Sequence, residues 1–346
     1  MFDKPAFAGH ESVHHFFDAK TGLRAIIAIH STRRGPAAGG CRMWRYDTSE
    51  AAFIDALRLS EGMSYKNAMA DLPLGGGKAV IWGNSISDKT PDMFRALGRA
   101  IESLNGAYWS AEDVGVSPID MAYAAETTRY VAGLATGKAA SGDPSPVTAR
   151  GVFLGMKAAA ARAFGSEDLR GKRVAVQGVG HVGAFLCSHL AEAGAELLIT
   201  DVNQDALMAV AKATGAKILS PAEIYDANVD ILSPNALGAV INPETIGRIN
   251  AKVIAGGANN QLSIPEMGER LLQRGIIYAP DYVINGGGII NVAAEISGAY
   301  DPEWVENKVQ KLIETLGNVL DQARKEGRAT NRVADEIARR RIGESA

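Results

Sequence analysis

The chain has 346 residues, 47% of them hydrophobic and 22% charged, which is the length of two ordinary domains and the composition of a soluble globular protein. Its net charge of −3 and pI near 6.1 give no reason to expect nucleic acid or an anionic membrane as partner. No apolar run is long enough to span a bilayer, and the N-terminus lacks a signal-peptide core. Two cysteines, Cys41 and Cys187, make neither a disulfide framework nor a zinc site, so a cytoplasmic protein with no metal centre is expected.

In chain order, residues 23–30 read as a strand. Ser49 is placed as the cap of a helix starting at Glu50, with Phe53, Ala56, Leu57 and Leu59 on its buried side. Pro73 and Gly75-Gly76-Gly77 are read as a break before a short strand at 78–82. Pro91 opens a helix that ends near Asn105-Gly106, residues 108–111 are extended, and another helix begins near Ser117-Pro118. The Gly-, Ser- and Pro-rich stretch 136–146 marks a boundary, so the first domain is drawn over 1–138 and the second over 139–321.

After a helix at 146–164 the rhythm changes. Strands at 173–177, 196–200, 229–232, 252–255 and 276–278 alternate with helices at 182–193, 204–214 and 264–274, the pattern of a doubly wound parallel sheet. The fold class is therefore α/β with two domains and a cleft between them. Residues 302–342 read as helical throughout, and the last part, about 322–346, is expected to pack back on the first domain. Arg33-Arg34 and Arg339-Arg340-Arg341 are taken as solvated faces or a helix end.

The strand at 173–177 runs straight into Gly178-Val179-Gly180-His181-Val182-Gly183 and a helix. Gly178 permits the tight turn, Gly180 lets a pyrophosphate approach the backbone, and Gly183 allows close helix–strand packing. The helix start offers unpaired N–H groups to phosphates. Asp201, at the end of the next strand, can accept both ribose hydroxyls and repels a 2′-phosphate, which favours NAD over NADP. His181 and Val182 at the helix start and Ala236 further on join the cofactor set, His181 as a filler of the loop and not as a catalyst.

Two lysines, Lys66 and Lys78, flank the turn Leu74-Gly75-Gly76-Gly77. The spacing is wrong for a phosphate loop, and Ala79 has no hydroxyl for magnesium. Nearby ammonium groups disfavour each other's charge, so one lysine could titrate within reach of neutral pH and act on a carbonyl or on water. Alternatively, both are solvated. In Ala111-Glu112-Asp113-Val114-Gly115 a carboxylate between small residues could shuttle protons or simply cap a turn.

These stretches, with Gly35 to Gly40, Met63 to Lys66, Pro144 to Thr148, Gly257 to Gln261 and Asn285 to Asn291, resemble the Glu/Leu/Phe/Val dehydrogenase family, and its leucine and phenylalanine dehydrogenase branch most. The resemblance covers most of the chain, in family order. It implies that Lys66 holds the substrate carboxylate, that Lys78 polarises the 2-carbonyl and activates water, and that Asp113 exchanges the proton with amine or ammonia. It further implies that Gly39 and Gly40 present backbone to substrate, that Thr148 contacts the nicotinamide amide, that Asn259 bonds near the nicotinamide ribose and the reacting carbon, and that Asn285 orients the cofactor. Ala38 and Asn235 depart from the family pattern, which commonly has a larger apolar residue and a cysteine there.

The implied activity is reversible NAD-dependent deamination of a hydrophobic L-amino acid to its 2-oxo acid and ammonia, in a homo-oligomer, dimer or octamer. The implied side-chain pocket of Ala38, Met63, Ala111, Ile289 and Val292 carries no charge to pair with glutamate. A leucine, valine or isoleucine type is favoured. Phenylalanine or tryptophan is the alternative if Ala38 opens space, since one or two methylenes are worth only roughly 1–3 kcal/mol. The remote alternative is an NAD-binding regulator that has lost the chemistry.

Overall fold

The computed structural model describes residues 2–134, 140, 142–298 and 300–343. The chain divides into two compact units, one of Met1–Pro144, Ile289–Val305 and Ala338–Ala346, the other of Ser145–Gly288 and Glu306–Ile337.

The first unit is built on the strands β1 (Ser12–Asp18), β2 (Leu23–Ser31), β3 (Ala37–Ala38), β4 (Cys41–Trp44), β5 (Gly75–Trp82) and β6 (Tyr108–Trp109). They run in the order β1-β2-β5-β3-β6, with β4 also paired to β5. β1 and β2 are antiparallel, as are β2 and β5, whereas β3 and β4 both run parallel to β5. The register puts Ala38 beside Gly76 and Cys41 beside Ala79, so the link Gly39-Gly40 crosses alongside Gly77 and Lys78.

Helices α1 (Ser49–Met69), α2 (Pro91–Glu102) and α3 (Pro118–Ala125) cover this sheet. Thr48, and not Ser49, caps α1: its Oγ1 accepts the Ala51 N–H at 3.1 Å, which places Ser49 inside the first turn. α3 starts with a reciprocal capping box between Ser117 and Asp120. Leu23, Ile27, Met43, Phe94, Leu97, Ile101, Tyr108 and Met121 form the core.

Gly75-Gly76-Gly77 is not a break but the first three residues of β5. A Cβ on Gly75 would lie 1.9 Å from Ser31 O, one on Gly76 2.1 Å from Ser64 N, and one on Gly77 2.7 Å from the Tyr108 ring. The glycines are there because backbone and ring pass too close for any side chain.

In the second unit all strands are parallel: β7 (Arg173–Gln177), β8 (Glu196–Thr200), β9 (Lys217–Ile218), β10 (Ile231–Pro234), β11 (Val253–Ile254) and β12 (Ile277–Tyr278). Their spatial order β12-β11-β10-β7-β8-β9 is the doubly wound dinucleotide-fold order, with its switch point between β7 and β10. Helices α4 (Ser145–Phe164), α5 (His181–Glu192), α6 (Gln204–Thr214), α7 (Glu266–Gln273) and α8 (Asp281–Ile284) belong to this unit, and α9 (Gly287–Ile296) starts in it and continues in the first.

The tail is two helices, α10 (Pro302–Glu326) and α11 (Thr330–Ile342), not one. Gly327 at φ +64° turns the chain between them. Arg339, Arg340 and Arg341 form the last turn of α11, the helix end expected of them, and Arg33, Arg339 and Arg340 are exposed, whereas Arg34 and Arg341 are half-buried and bonded. Arg341 Nη1 donates to the carbonyls of Ala68 and Met69 at 3.0 and 3.1 Å, and Arg34 donates to Leu72 O and Arg341 O at 3.2 Å each. Together they satisfy carbonyls at and just beyond the end of α1.

Candidate active site

In the first unit Lys78 is 5% exposed on β5, and its Nζ donates to Asp113 Oδ2 at 2.6 Å. The same oxygen lies 3.4 Å from Arg42 Nε on β4. Arg42 is held in turn by Asp55 of α1, whose Oδ2 takes Arg42 Nη1 at 3.1 Å and the Tyr46 hydroxyl at 2.5 Å. Burial pushes the Asp113 carboxyl up, but Lys78 and Arg42 outweigh it and hold it at about 2. Burial also opposes the charge on Arg42, and the carboxylates of Asp113 and Asp55 outweigh that, raising its pKa.

The glycine pair sits against this group. A Cβ on Gly39 would meet Gly77 O at 2.0 Å and Met63 Cγ at 2.9 Å, and one on Gly40 would meet Glu112 O at 2.5 Å and Asp113 Cβ at 2.9 Å. The Tyr108 hydroxyl pins the strands here, donating to Gly39 O at 2.6 Å and accepting the Ala79 N–H at 2.9 Å. Met63 and half-buried Lys66 lie three residues apart on α1, hence on one helix face. Asn67 beside them donates to Ala38 O at 3.3 Å and to Gly75 O at 2.5 Å. The C-terminal part of α1 thus faces the β3–β5 junction that carries Lys78.

Of the apolar set, Ala38, Ala111, Ile289 and Val292 are buried and Met63 half-buried. Ile289 and Val292 stand three apart on α9, where Glu295 continues the row. The buried Glu295 accepts the N–H groups of Gly133 and Leu134 at 2.8 and 3.2 Å, and Gly133 adjoins Ala111 and Glu112. Cys41, fully buried beside them, has its thiol pushed up by burial to about 12, which makes it a poor nucleophile.

In the second unit Gly178 turns at φ +93°, and a Cβ there would lie 2.7 Å from both Ala236 N and Ala236 Cβ. A Cβ on Gly183 would meet Gly178 O at 2.0 Å, whereas one on Gly180 meets nothing within 4 Å. The loop is closed on itself and open at the helix start, as a phosphate cradle requires. Asp201 Oδ2 accepts the Val179 N–H at 2.7 Å, and Oδ1 accepts the Asn203 N–H at 2.8 Å. His181 is exposed at the first residue of α5.

Across the switch point, Asn235 Oδ1 accepts the Gly257 N–H at 2.8 Å, and Val182 packs 3.1 Å from the Cβ position of Gly257. Asn285 Nδ2 donates to Gly257 O at 3.1 Å and to Asn259 Oδ1 at 2.8 Å, while its own buried Oδ1 has no partner. Thr148 sits in the first turn of α4, its Cα 3.0 Å from the Cβ position of Gly287. Val182, Ala236, Asn259, Asn285 and Thr148 are therefore gathered where the strands β7, β10 and β11 end. Among the described residues no group of three His, Cys, Asp or Glu could hold a metal ion.

Arg42, Asp55, Tyr108 and Glu295 were not singled out from the sequence. Arg42 gives the one usable signal, a lone cation in the otherwise apolar run Cys41-Arg42-Met43-Trp44.

Residues 10–130 match the profile described as Glu/Leu/Phe/Val dehydrogenase, dimerisation domain, and residues 141–203 and 196–344 match Glutamate/Leucine/Phenylalanine/Valine dehydrogenase. Leucine dehydrogenase of Bacillus cereus is 52% identical over 325 residues, covering 94% of this chain and 88% of that protein. Phenylalanine dehydrogenase of Bacillus thermotolerans is 44% identical, covering 99% of this chain and 90% of that protein. The crystal structure of L-tryptophan dehydrogenase from Nostoc punctiforme superposes with a TM-score of 0.83 at 43% identity, covering 97% of this chain and 96% of that one. The chain belongs to the Glu/Leu/Phe/Val dehydrogenase family, whose members are amino acid dehydrogenases and hence oxidoreductases.

Proposed function

We propose that the protein reversibly deaminates a hydrophobic L-amino acid, of the leucine, valine or isoleucine type, to its 2-oxo acid and ammonia with NAD as oxidant. The observation that carries this reading is the buried Lys78–Asp113 pair against the Gly39-Gly40 link. Lys78 donates to the oxygen that becomes the 2-carbonyl, stabilising charge as it develops there. Asp113, within reach of the Lys78 ammonium, takes and returns the proton of the amine or the attacking water. Lys66 holds the substrate carboxylate, and Gly39 and Gly40 let substrate approach bare backbone. Ala38, Met63, Ala111, Ile289 and Val292 offer the side chain an uncharged wall, which leaves a glutamate carboxylate unpaired.

The second unit fits a dinucleotide: Gly178, Gly180 and Gly183 shape the phosphate turn, and Thr148, Val182, Ala236, Asn259 and Asn285 gather at the switch point, where Asn285 Oδ1 awaits a donor. When bound, the cofactor accepts hydride from the substrate α-carbon. Asp201 at the end of β8 disfavours a 2′-phosphate and supports NAD over NADP. The match of residues 10–130 to a dimerisation-domain profile supports a homo-oligomer, and two buried free thiols suit the reducing cytoplasm.

A second reading, an aromatic amino acid as substrate, is favoured by the small Ala38 and by the tryptophan and phenylalanine dehydrogenase relatives. Initial rates on leucine, valine, phenylalanine and tryptophan, each with NAD and with NADP, test both. The expected result is fastest NADH formation on an aliphatic substrate. Preference for phenylalanine or tryptophan selects the second reading, and no turnover on any of the four overturns both. Lys78→Ala is expected to bind NADH normally and to lose turnover by orders of magnitude. Near-normal turnover in that variant removes Lys78 from the chemistry.

A further inference from the structure

Arg42 belongs to no part of the chemistry assigned so far, yet it sits against the reacting carboxylate. Its Nε is 3.4 Å from Asp113 Oδ2, the same oxygen that accepts Lys78 Nζ at 2.6 Å. That Nε is buried and makes no hydrogen bond, so it faces Asp113 as a charge with a donor to spare. The far side of the guanidinium is fixed, because Asp55 takes Nη1 at 3.1 Å and is itself held by the Tyr46 hydroxyl at 2.5 Å. Arginine keeps its charge at any pH the enzyme meets.

We propose that Arg42 is a positioning residue that keeps Asp113 an aimed carboxylate while Lys78 is engaged by substrate. The proposal rests on the reading of Lys78 and Asp113 given above. In the free enzyme two cations share Oδ2. A lysine that turns to a substrate oxygen no longer neutralises Asp113, and a carboxylate in an enclosed site is then pushed toward its neutral form. Arg42 cannot leave, since Asp55 and Tyr46 hold it from behind, so its charge continues to favour the ionised, proton-accepting form.

The other groups around Asp113 do not replace it. Cys41 and Tyr108 are fully buried and held protonated by burial; Asp55 and Asp120 bring carboxyl groups and not cations; Lys89 is committed to Asp120 at 2.5 Å. Of the cations that act on Asp113, Lys78 and Arg42 carry the effect.

The test is the pH dependence of kcat, which reports the substrate-bound enzyme, for oxidative deamination at saturating amino acid in wild type, Arg42→Gln and Arg42→Met, with Arg42→Lys as the conservative variant. Losing the charge raises the Asp113 pKa, so the carboxylate is protonated, and its basic function lost, as pH falls through the raised value. The expected result is an acid limb of kcat that lies at higher pH in Gln and Met than in wild type, so that the ratio of wild-type to variant kcat grows as pH falls through the raised value, about tenfold for each unit by which that value exceeds the wild type's. Arg42→Lys is expected to restore a flatter ratio. The two uncharged variants guard against either one failing to fold. A ratio that does not change with pH in whichever uncharged variants fold shows that Arg42 acts only on structure, and overturns the proposal. Lys78→Ala and Asp113→Asn run alongside: if either retains turnover the site reading itself has failed, and if both are inactive while the Arg42 ratio is flat, only the role of Arg42 has.

Discussion

Asp113 is the residue on which stability and chemistry meet. Its carboxyl lies at about 2, below the ordinary 3.8. A depressed carboxyl contributes stability that is fully present above its unfolded value and is lost as pH falls through the folded one, so here the loss runs from about pH 4 down to about pH 2. Asp113→Ala leaves the buried Lys78 ammonium without its acceptor, and removing one member of a buried pair costs about 3–5 kcal/mol. Denaturant midpoints of wild type and Asp113→Ala should differ strongly at neutral pH and converge as the solution is acidified through that window. Equal midpoints at neutral pH contradict a structural role for the pair. Lys78 and Asp113 could be picked out in the sequence because each stands among glycines or small residues, where a charge is conspicuous. Arg42 offers only the weak signal of a cation in an apolar run, and Glu295 offers none. An arginine in a four-residue strand and a glutamate in an apolar helix acquire meaning only from partners about seventy and about one hundred and sixty positions away, Asp113 and Gly133.

At the scale of elements, periodicity located the long, regular pieces. The strands Arg173–Gln177 and Glu196–Thr200 and the helix Gln204–Thr214 lie where the pattern puts them. Apolar runs mark burial and not the hydrogen-bonded ladder, which is why the strand expected at 229–232 pairs over Ile231–Pro234. Two-residue strands such as β3 and β9 are too short to show any period. The glycine run misled because glycine's poor strand propensity argues for a turn, while the decisive fact, the passage of Ser31, Ser64 and Tyr108 against it, is long-range. Gly76→Ala tests that account. A methyl 2.1 Å from Ser64 N must push α1 from β5, and overpacking of this kind costs typically about 1–3 kcal/mol. The variant should melt lower than wild type and lose kcat/KM, because Lys66 rides on α1 and Lys78 on β5. An unchanged melting temperature means that the helix does not press on the strand.

For the molecule as a whole, the sequence showed where the nucleotide-type rhythm starts but not how the chain is shared out. The divide between Pro144 and Ser145 falls inside the composition shift at 136–146. The tail was expected to return over about 322–346, whereas the first unit takes only Ala338–Ala346, and nothing in composition announces that Ile289–Val305 returns as well. They return because of particular bonds: Glu295 to Gly133 and Leu134, Arg339 Nε to the Tyr65 hydroxyl at 2.8 Å, and Arg341 to the carbonyls that end α1. A fragment of residues 1–144 therefore lacks the acceptors and donors that its loop and helix end require. It should show weak amide protection and a broad, uncooperative melt, whereas a sharp transition like that of the full chain would refute the dependence. The backbone changes units at 144/145, 288/289, 305/306 and 337/338, so each unit includes chain synthesised late. On the ribosome neither half can finish folding before the C-terminal helix has left the exit tunnel. Until then the glycine-lined β5 waits, incomplete, for a segment about 260 residues further on, and the nucleotide turn for one about 130 residues on, which makes truncated or stalled products natural targets for chaperones and proteases.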